Sequence, residues 1–233
     1  LTVKKASSSA STSLSSSTIT YKENVTVTSS ITPAISEGTL ISEYSQDKLT
    51  WIEIGSSVPS DGSYSASWTP PGAGTYYIRA SWTGTKNYDS STSAEQTLTV
   101  NKAATSLQLS VSPETVQIDP LTRGGASLQI SGKITPKLEG IAVTVTYTEP
   151  DGTTTTKTLT TTSTGQFTDM LTPNQTGAWS VKASWPGDAN YLAASSSTVT
   201  ANVGENWTIY IAIAGIVIVI IVAAIALRMR QRR

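Results

Sequence analysis

Cysteine and histidine are both missing from this 233-residue chain, and the two absences remove several kinds of chemistry at once. Without histidine there is no Ser-His-Asp triad, no HExxH zinc site and no imidazole base. Without cysteine there is no thiolate nucleophile, no zinc–thiolate cluster and no disulfide, so any domain outside the cytoplasm is held by its core alone. A basic stripe is lacking too. The chain has 16 Lys and Arg against 16 Asp and Glu, but Arg228, Arg230, Arg232 and Arg233 crowd into the C-terminal tail. The rest carries 12 basic against 16 acidic groups, net −4. A mildly acidic body of this kind does not suit the phosphate backbone, which excludes nucleic acid as the expected partner. Helical periodicity is absent before residue 207. Serine and threonine supply about a third of the chain, a bias that suits exposed strands, turns and sugar-bearing surfaces better than helices.

What is present is most distinct at the C-terminal end. Trp207–Leu227 reads "WTIYIAIAGIVIVIIVAAIAL", 21 residues without a charge, and "RMRQRR" follows at once. At ~1.5 Å per residue a helix of that length spans ~30 Å, the thickness of a bilayer's hydrocarbon core. The arginines place the tail on the cytoplasmic side, and Trp207 and Tyr210 fit the aromatic belt of the opposite interface. Everything before Asn206 is therefore expected outside. The span holds no acidic or basic residue and no GxxxG pair, so it reads as a plain single-pass anchor without an ion path or a dimerisation motif. The chain opens at Leu1 with neither Met nor an apolar leader, as a mature form or a fragment would.

The body is written twice. "SWTGTKNYDSSTS" at 81–93 and "SWPGDANYLAASSS" at 184–197 superpose at an offset of 103. The same offset carries Ile31-Thr32-Pro33 onto Ile134-Thr135-Pro136, Gly62 onto Gly165, Tyr64 onto Phe167, Thr69-Pro70 onto Thr172-Pro173 and Val100 onto Val203. "LTVKKASSS" at residue 1 also resembles "LTVNKAATS" at residue 98, so Leu1–Val3 reads as the closing strand of an earlier repeat. Within each repeat the pattern has period two. "GTYYIRASW" places Tyr76, Ile78, Ala80 and Trp82 on one face, and "GAWSVKASW" does the same with Trp179, Val181, Ala183 and Trp185. Val25, Val27 and Ile31 match Leu128, Ile130 and Ile134, and "GIAVTVTYT" aligns Ile141, Val143, Val145 and Tyr147. Turn signals at Asp61-Gly62, Asp151-Gly152, Thr164-Gly165 and Pro186-Gly187 separate the strands. About seven short strands per repeat predict an antiparallel sandwich.

The block "GAWSVKASWPGDANYLAASSSTVTANV", preceded by "ITP", a "DG" turn and "TSTGQF", resembles the bacterial and archaeal immunoglobulin-like (Big-type) repeats of surface proteins. The resemblance implies a structural or adhesive module and brings no catalytic residues. The expected fold is all-β, two tandem Ig-like antiparallel β-sandwiches followed by one C-terminal transmembrane α-helix. Residues 1–13 read as the end of an upstream repeat and a Ser-rich linker, 14–100 as the first domain, 101–104 as a linker and 105–203 as the second domain. Residues 204–206 are juxtamembrane, 207–227 the transmembrane helix and 228–233 the basic tail.

Candidate sites are few. Trp82 and Trp185 recur in both repeats and read as core. Trp51 and Trp68 belong to the first repeat alone and are the candidates for a stacking surface, a glycan being the natural partner of such rings. Asp188 with Asn190, and Glu149 with Asp151, offer too few oxygens for a hard cation and read as turn caps. The sequons at Asn24, Asn174 and Asn206 are candidate glycosylation sites. No cofactor and no catalysis is expected. The functional reading is a membrane-anchored protein of the plasma membrane, crossing once with its N-terminal part outside, whose Ig-like domains act as a spacer or as an adhesion module toward a surface protein or glycan. The alternatives are a glycan-binding adhesin that uses exposed aromatics, and the membrane-proximal stalk of a larger secreted enzyme or solute receptor.

Overall fold

A computed structural model describes residues 2–231; Leu1, Arg232 and Arg233 lie outside the described residues. The chain divides into two compact units, Leu1–Ala104 with Gly187–Leu192, and Thr105–Pro186 with Ala193–Arg233.

In the first unit the strands are β1 (Ser9–Leu14), β2 (Thr18–Thr20), β3 (Val25–Thr32), β4 (Leu40–Ser45), β5 (Ile52–Ser57), β6 (Ser63–Trp68), β7 (Gly74–Trp82), β8 (Ser91–Thr92) and β9 (Gln96–Asn101). One sheet has the order β1-β3-β6, and the other β2-β9-β7-β4-β5 with β8 beside β7. All pairs are antiparallel except β2 with β9. The period-two face of β7 lines the core as expected: Tyr76, Ile78, Ala80 and Trp82 are all buried, Tyr76 and Ile78 packing with Val25 and Val27 of the facing sheet, and Trp82 with Ile31 of that sheet and Leu40 of the neighbouring β4. The Ser-rich stretch, expected in part as linker, is strand β1, which pairs with β3 along its whole length. Its one fully inward residue is Ala10, so the strand is held mainly by its ladder, and small hydroxyl side chains leave little hydrophobic signal to read.

The second unit repeats this plan with β10 (Ser106–Ser112), β11 (Thr115–Ile118), β12 (Leu128–Thr135), β13 (Ala142–Thr148), β14 (Thr154–Thr160), β15 (Gln166–Leu171), β16 (Gly177–Trp185), β17 (Ala194–Ser195) and β18 (Val199–Glu205). Its sheets run β10-β12-β15 and β11-β18-β16-β13-β14, β17 lying beside β16. Val143, Val145, Tyr147, Val181 and Ala183 are buried, as are Leu128, Ile130 and Ile134 opposite them. The two copies fill one position differently. In the first, Ser29 and Ser42 bond each other inside the core at 2.8 Å. In the second, the equivalent pair is Gly132 and Val145, and the Phe167 ring occupies the room above Gly132, where an added Cβ would meet it at 2.1 Å.

The segment Gly187–Leu192, expected within the second domain, groups with the first unit. The reason is local pairing: Ala103 N donates to Asn190 O and Leu192 N donates to Ala103 O, both at 2.9 Å. Ala6 makes the same two bonds with Asn87 and Asp89, at 2.8 and 2.9 Å. The likeness of "LTVKKA" to "LTVNKA" is thus a likeness of pairing at the alanine. Thr2 and Val3 themselves form no strand.

One helix follows, α1 (Thr208–Arg230), 23 residues with no buried side chain. It exceeds the expected span by continuing through Arg228 and Arg230, whose charges in the last turn complement the carbonyl end of the helix dipole.

Candidate functional site

The junction between the second sandwich and α1 is a region of several polar contacts. Strands β11 and β18 run parallel, with Ile118 opposite Glu205. Asn206 N then donates to Ile118 O at 2.9 Å, so the sheet ladder continues to within two residues of the helix. Asn206 Oδ1 accepts from Thr208 N at 3.1 Å, which satisfies one of the free amides of the first turn. Trp207 Nε1 donates to Glu205 Oε2 at 2.8 Å, and the rings of Trp207 and Tyr210 meet edge to face at 6.0 Å. Tyr210 reaches back to the sandwich, donating its hydroxyl to Asp119 Oδ2 at 2.8 Å. Arg123 pairs with Glu205 at 2.8 Å. Backbone amides, that of Thr122 first, hold the Asp119 carboxyl below the usual carboxylate range, and the Tyr210 hydroxyl adds to this.

Of the flank residues expected from the sequence, Trp207 and Tyr210 stand together at the helix start and Arg228 and Arg230 at its other end. Arg232 and Arg233 lie outside the described residues. Among the described residues α1 is the one helix long and apolar enough to cross a membrane.

The candidate aromatics are not brought together. Trp68 packs against the core of the first unit, 4.7 Å from the Tyr44 ring and 5.4 Å from that of Tyr76. Its counterpart Leu171 flanks the core of the second unit in the same way, so the difference between the repeats is one of side-chain size. Trp51 lies on the outer side of the β4–β5–β7 sheet, half-buried under the Arg79 guanidinium at 3.9 Å. Arg79 is oriented by Glu43 at 3.0 Å, and nearby Lys48 sits 4.1 Å over the Tyr77 ring while pairing with Glu95 at 2.8 Å. The outward face of β7 therefore presents alternating rings and cations. The alternation that turns Tyr76 and Ile78 inward leaves Tyr77 and Arg79 outward; the pairings with Lys48 and Trp51 left no sequence signal.

Of the expected turn caps Asp188 and Asp151 are in place, whereas Asn190 Oδ1 accepts from Ala73 N at 2.8 Å and Glu149 Oε2 from Gln175 Nε2 at 2.9 Å. Asp188 Oδ1 accepts from Asn190 N and Tyr191 N at 2.7 and 2.8 Å, and Asp151 Oδ1 from Thr153 N at 2.9 Å. Asp47 does the same for Leu49 and Thr50, both at 2.8 Å, and those amides, that of Thr50 foremost, lower its pKa to about 2. One cluster was not legible. Tyr147 OH and Lys157 Nζ both donate to Asp169 Oδ2, at 2.6 and 2.7 Å, tying β13 and β14 to β15 of the other sheet. Burial pushes the Asp169 carboxyl up, but the hydrogen bonds from Lys157 and Tyr147 outweigh it and the carboxyl titrates low. Burial, and then Asp169, push the Tyr147 phenol up. The sequon residues Asn24 and Asn174 are exposed, Asn24 accepting a hydrogen bond from Thr69 Oγ1. Among the described residues no group of three acidic side chains gathers to hold a metal ion.

Residues 11–101 match the family model described as bacterial Ig-like domain (group 3). The match lies within the first unit, and the second unit repeats that unit's strand order. Among solved structures, the chain is similar to a tetra-tandem repeat in the extending region of a large adhesion protein, with 19% identity and TM-score 0.48 over 84% of this chain and 49% of that one. It is also similar to the Yersinia pseudotuberculosis adhesin InvE, with 14% identity and TM-score 0.39 over 82% of this chain and 58% of that one. The D0-D1 domain of intimin gives 13% identity and TM-score 0.31, over 82% of this chain and 97% of that one. The chain spans 49% and 58% of the first two structures. No curated protein matches it.

Proposed function

We propose that this is a single-pass protein of the plasma membrane whose tandem Ig-like domains stand outside the cell, as a spacer or as an adhesion module, without turning over a substrate. The observation that carries the reading is the junction at Asn206. An apolar helix of 23 residues with no buried side chain continues from the last ladder bond of an Ig-like sandwich, with an aromatic pair at its start and arginines at its end. A soluble domain would cover such a helix, since each exposed Ile or Val leaves apolar surface in water at a cost of ~25 cal/mol per Å². The arginines orient the tail inward, and the sequons Asn24, Asn174 and Asn206 then face the glycosylating side. Membrane fractionation tests the anchor: the chain should resist alkaline carbonate extraction, and a chain ending at Glu205 should be soluble. Release of the full chain by carbonate would refute the anchor.

A glycan-binding role rests on Trp51, the candidate ring placed on an outward sheet face. Arg79 covers that ring, so a sugar would have to displace the guanidinium or stack beside it. Trp51→Ala would abolish glycan-array binding by the full chain if the role is real and leave it unchanged if the strip only supports the sheet.

A further inference from the structure

The two repeats differ in one connection that bears on the membrane. Between β2 and β3 of the first unit the chain needs four residues, 21–24; between the equivalent strands β11 and β12 of the second it uses nine, 119–127. The extra length falls at a defined place. Because β11 pairs parallel with β18, with Ile118 opposite Glu205, whatever follows Ile118 emerges beside the start of α1. The loop is also ordered by its own bonds. Asp119 Oδ1 accepts from Leu121 N and Thr122 N at 2.9 and 2.7 Å, Arg123 N donates to Asp119 O and Asp119 N donates to Gly124 O, both at 2.9 Å. Pro120 is buried beneath it, whereas Leu121 is 67% exposed. Such a closed loop holds its leucine outward.

The height of that leucine is set by Tyr210. This residue lies in the first turn of α1, and its hydroxyl is bonded to Asp119, the residue whose other oxygen holds the Leu121 amide. A tyrosine in the first turn of a spanning helix sits at the headgroup level. The loop therefore lies at that level as well, beside the helix.

We propose that the Asp119–Gly125 loop is a second membrane contact, with Leu121 inserted among the lipid headgroups of the outer leaflet next to α1. This rests on the anchor reading. The occupant is the polar–apolar boundary of the bilayer itself. Arg123 is already paired with Glu205, and Asp119 with Tyr210, so the contact is apolar and is the same on neutral and on anionic lipid. With two points of attachment, helix and loop, the second sandwich is held at a fixed rotation against the bilayer surface.

The absence of cysteine makes the test direct. Leu121→Cys, Ser163→Cys and Val219→Cys are introduced singly into the full chain, labelled with an environment-sensitive fluorophore and reconstituted in phosphatidylcholine vesicles, with or without anionic phosphatidylglycerol. Ser163 is an exposed residue of the β14–β15 turn, at the end of the second unit away from α1, and Val219 lies in the middle of α1. The expected result is a blue-shifted emission at 121, quenched by nitroxide lipids labelled at the headgroup, in both lipid compositions. Emission at 219 should be quenched by nitroxide deep in the acyl chain, and emission at 163 by neither. A water-like spectrum at 121, unquenched and matching that at 163, while 219 is quenched from the acyl region, would overturn the loop contact and leave the anchor standing. Blue shift at 121 only on anionic vesicles would overturn the apolar contact in favour of charge. An unquenched probe at 219 would refute the anchor reading and the loop contact with it.

Discussion

Trp82→Ala separates a core role from a ligand role for the tryptophan that each repeat places at the end of its longest strand. The ring is 2% exposed and packs with Ala10, Ile31 and Leu40. Its Nε1 donates to Glu37 O at 3.1 Å. The seat is shaped around it: Gly38 has φ +72°, and an added Cβ there would meet Trp82 Nε1 at 2.8 Å and Gly84 O at 2.7 Å. A buried indole removes ~150–250 Å² from water, which at ~25 cal/mol per Å² is ~4–6 kcal/mol as an upper bound. Truncations of large aromatics in other cores cost ~3–5 kcal/mol, and that is the loss expected here. Trp82→Phe fills most of the space but leaves Glu37 O without its donor, for ~1–3 kcal/mol. Hydrogen exchange of β7 amides in the full chain in detergent, measured across a urea series, reads the first unit separately from the second. With a urea m-value of ~1–3 kcal/mol per M, the Ala variant should open at a midpoint lower by ~1 M or more. A loss under ~1 kcal/mol, the range of surface changes, would refute the core assignment and make the recurring ring a site.

Gly132→Ala should destabilise the second unit by ~1–3 kcal/mol through overpacking, because its Cβ would enter the Phe167 ring; Phe167→Leu in the same chain should recover part of that loss in a double-mutant cycle read by urea unfolding. Asp47, with a folded pKa of about 2 against an ordinary 3.8, contributes stability that is complete above the ordinary value and is lost as pH falls from ~4 toward ~2. Asp47→Asn should flatten that part of the first unit's stability–pH curve, and an unchanged curve would remove Asp47 from the account. Lys157→Met should raise the titration midpoint of Asp169, followed by carboxyl NMR, since burial then acts against one hydrogen bond fewer; an unmoved midpoint would mean that Tyr147 alone sets it.

The sandwich was legible wherever one strand face is apolar and the other is not. In β7, β13 and β16 alternation identified the buried set residue by residue, and the 103-residue offset made each copy a check on the other. Strands β1 and β14 were harder for the same physical reason. Ser9–Leu14 buries little beyond Ala10, and Thr154–Thr160 is exposed at every position but Leu159, so both are held by ladder bonds that any residue supplies. Trp68 drew notice because the other repeat has Leu171 there, yet both flank their cores; a change in ring size looks like a site until the neighbours Tyr44 and Tyr76 are known. The Tyr147–Asp169–Lys157 cluster and the Tyr210–Asp119 bond join residues far apart in sequence, and no local spacing encodes them. The helix was legible from composition alone, because a run that is apolar on every side suits only a buried core or lipid, and α1 has no buried side chain.

The orientation of α1 is the property that protease protection reads most directly. In intact cells carrying the chain with an epitope appended after Arg233, added protease should remove the Ig-like units and leave the epitope in the membrane fraction, protected until the cells are permeabilised. Replacing Arg228, Arg230, Arg232 and Arg233 with glutamine should reduce the protected fraction, as the positive flank distinguishes the two ends of the span. Loss of the epitope from intact cells, with the Ig-like units surviving, would place the domains inside and contradict the account.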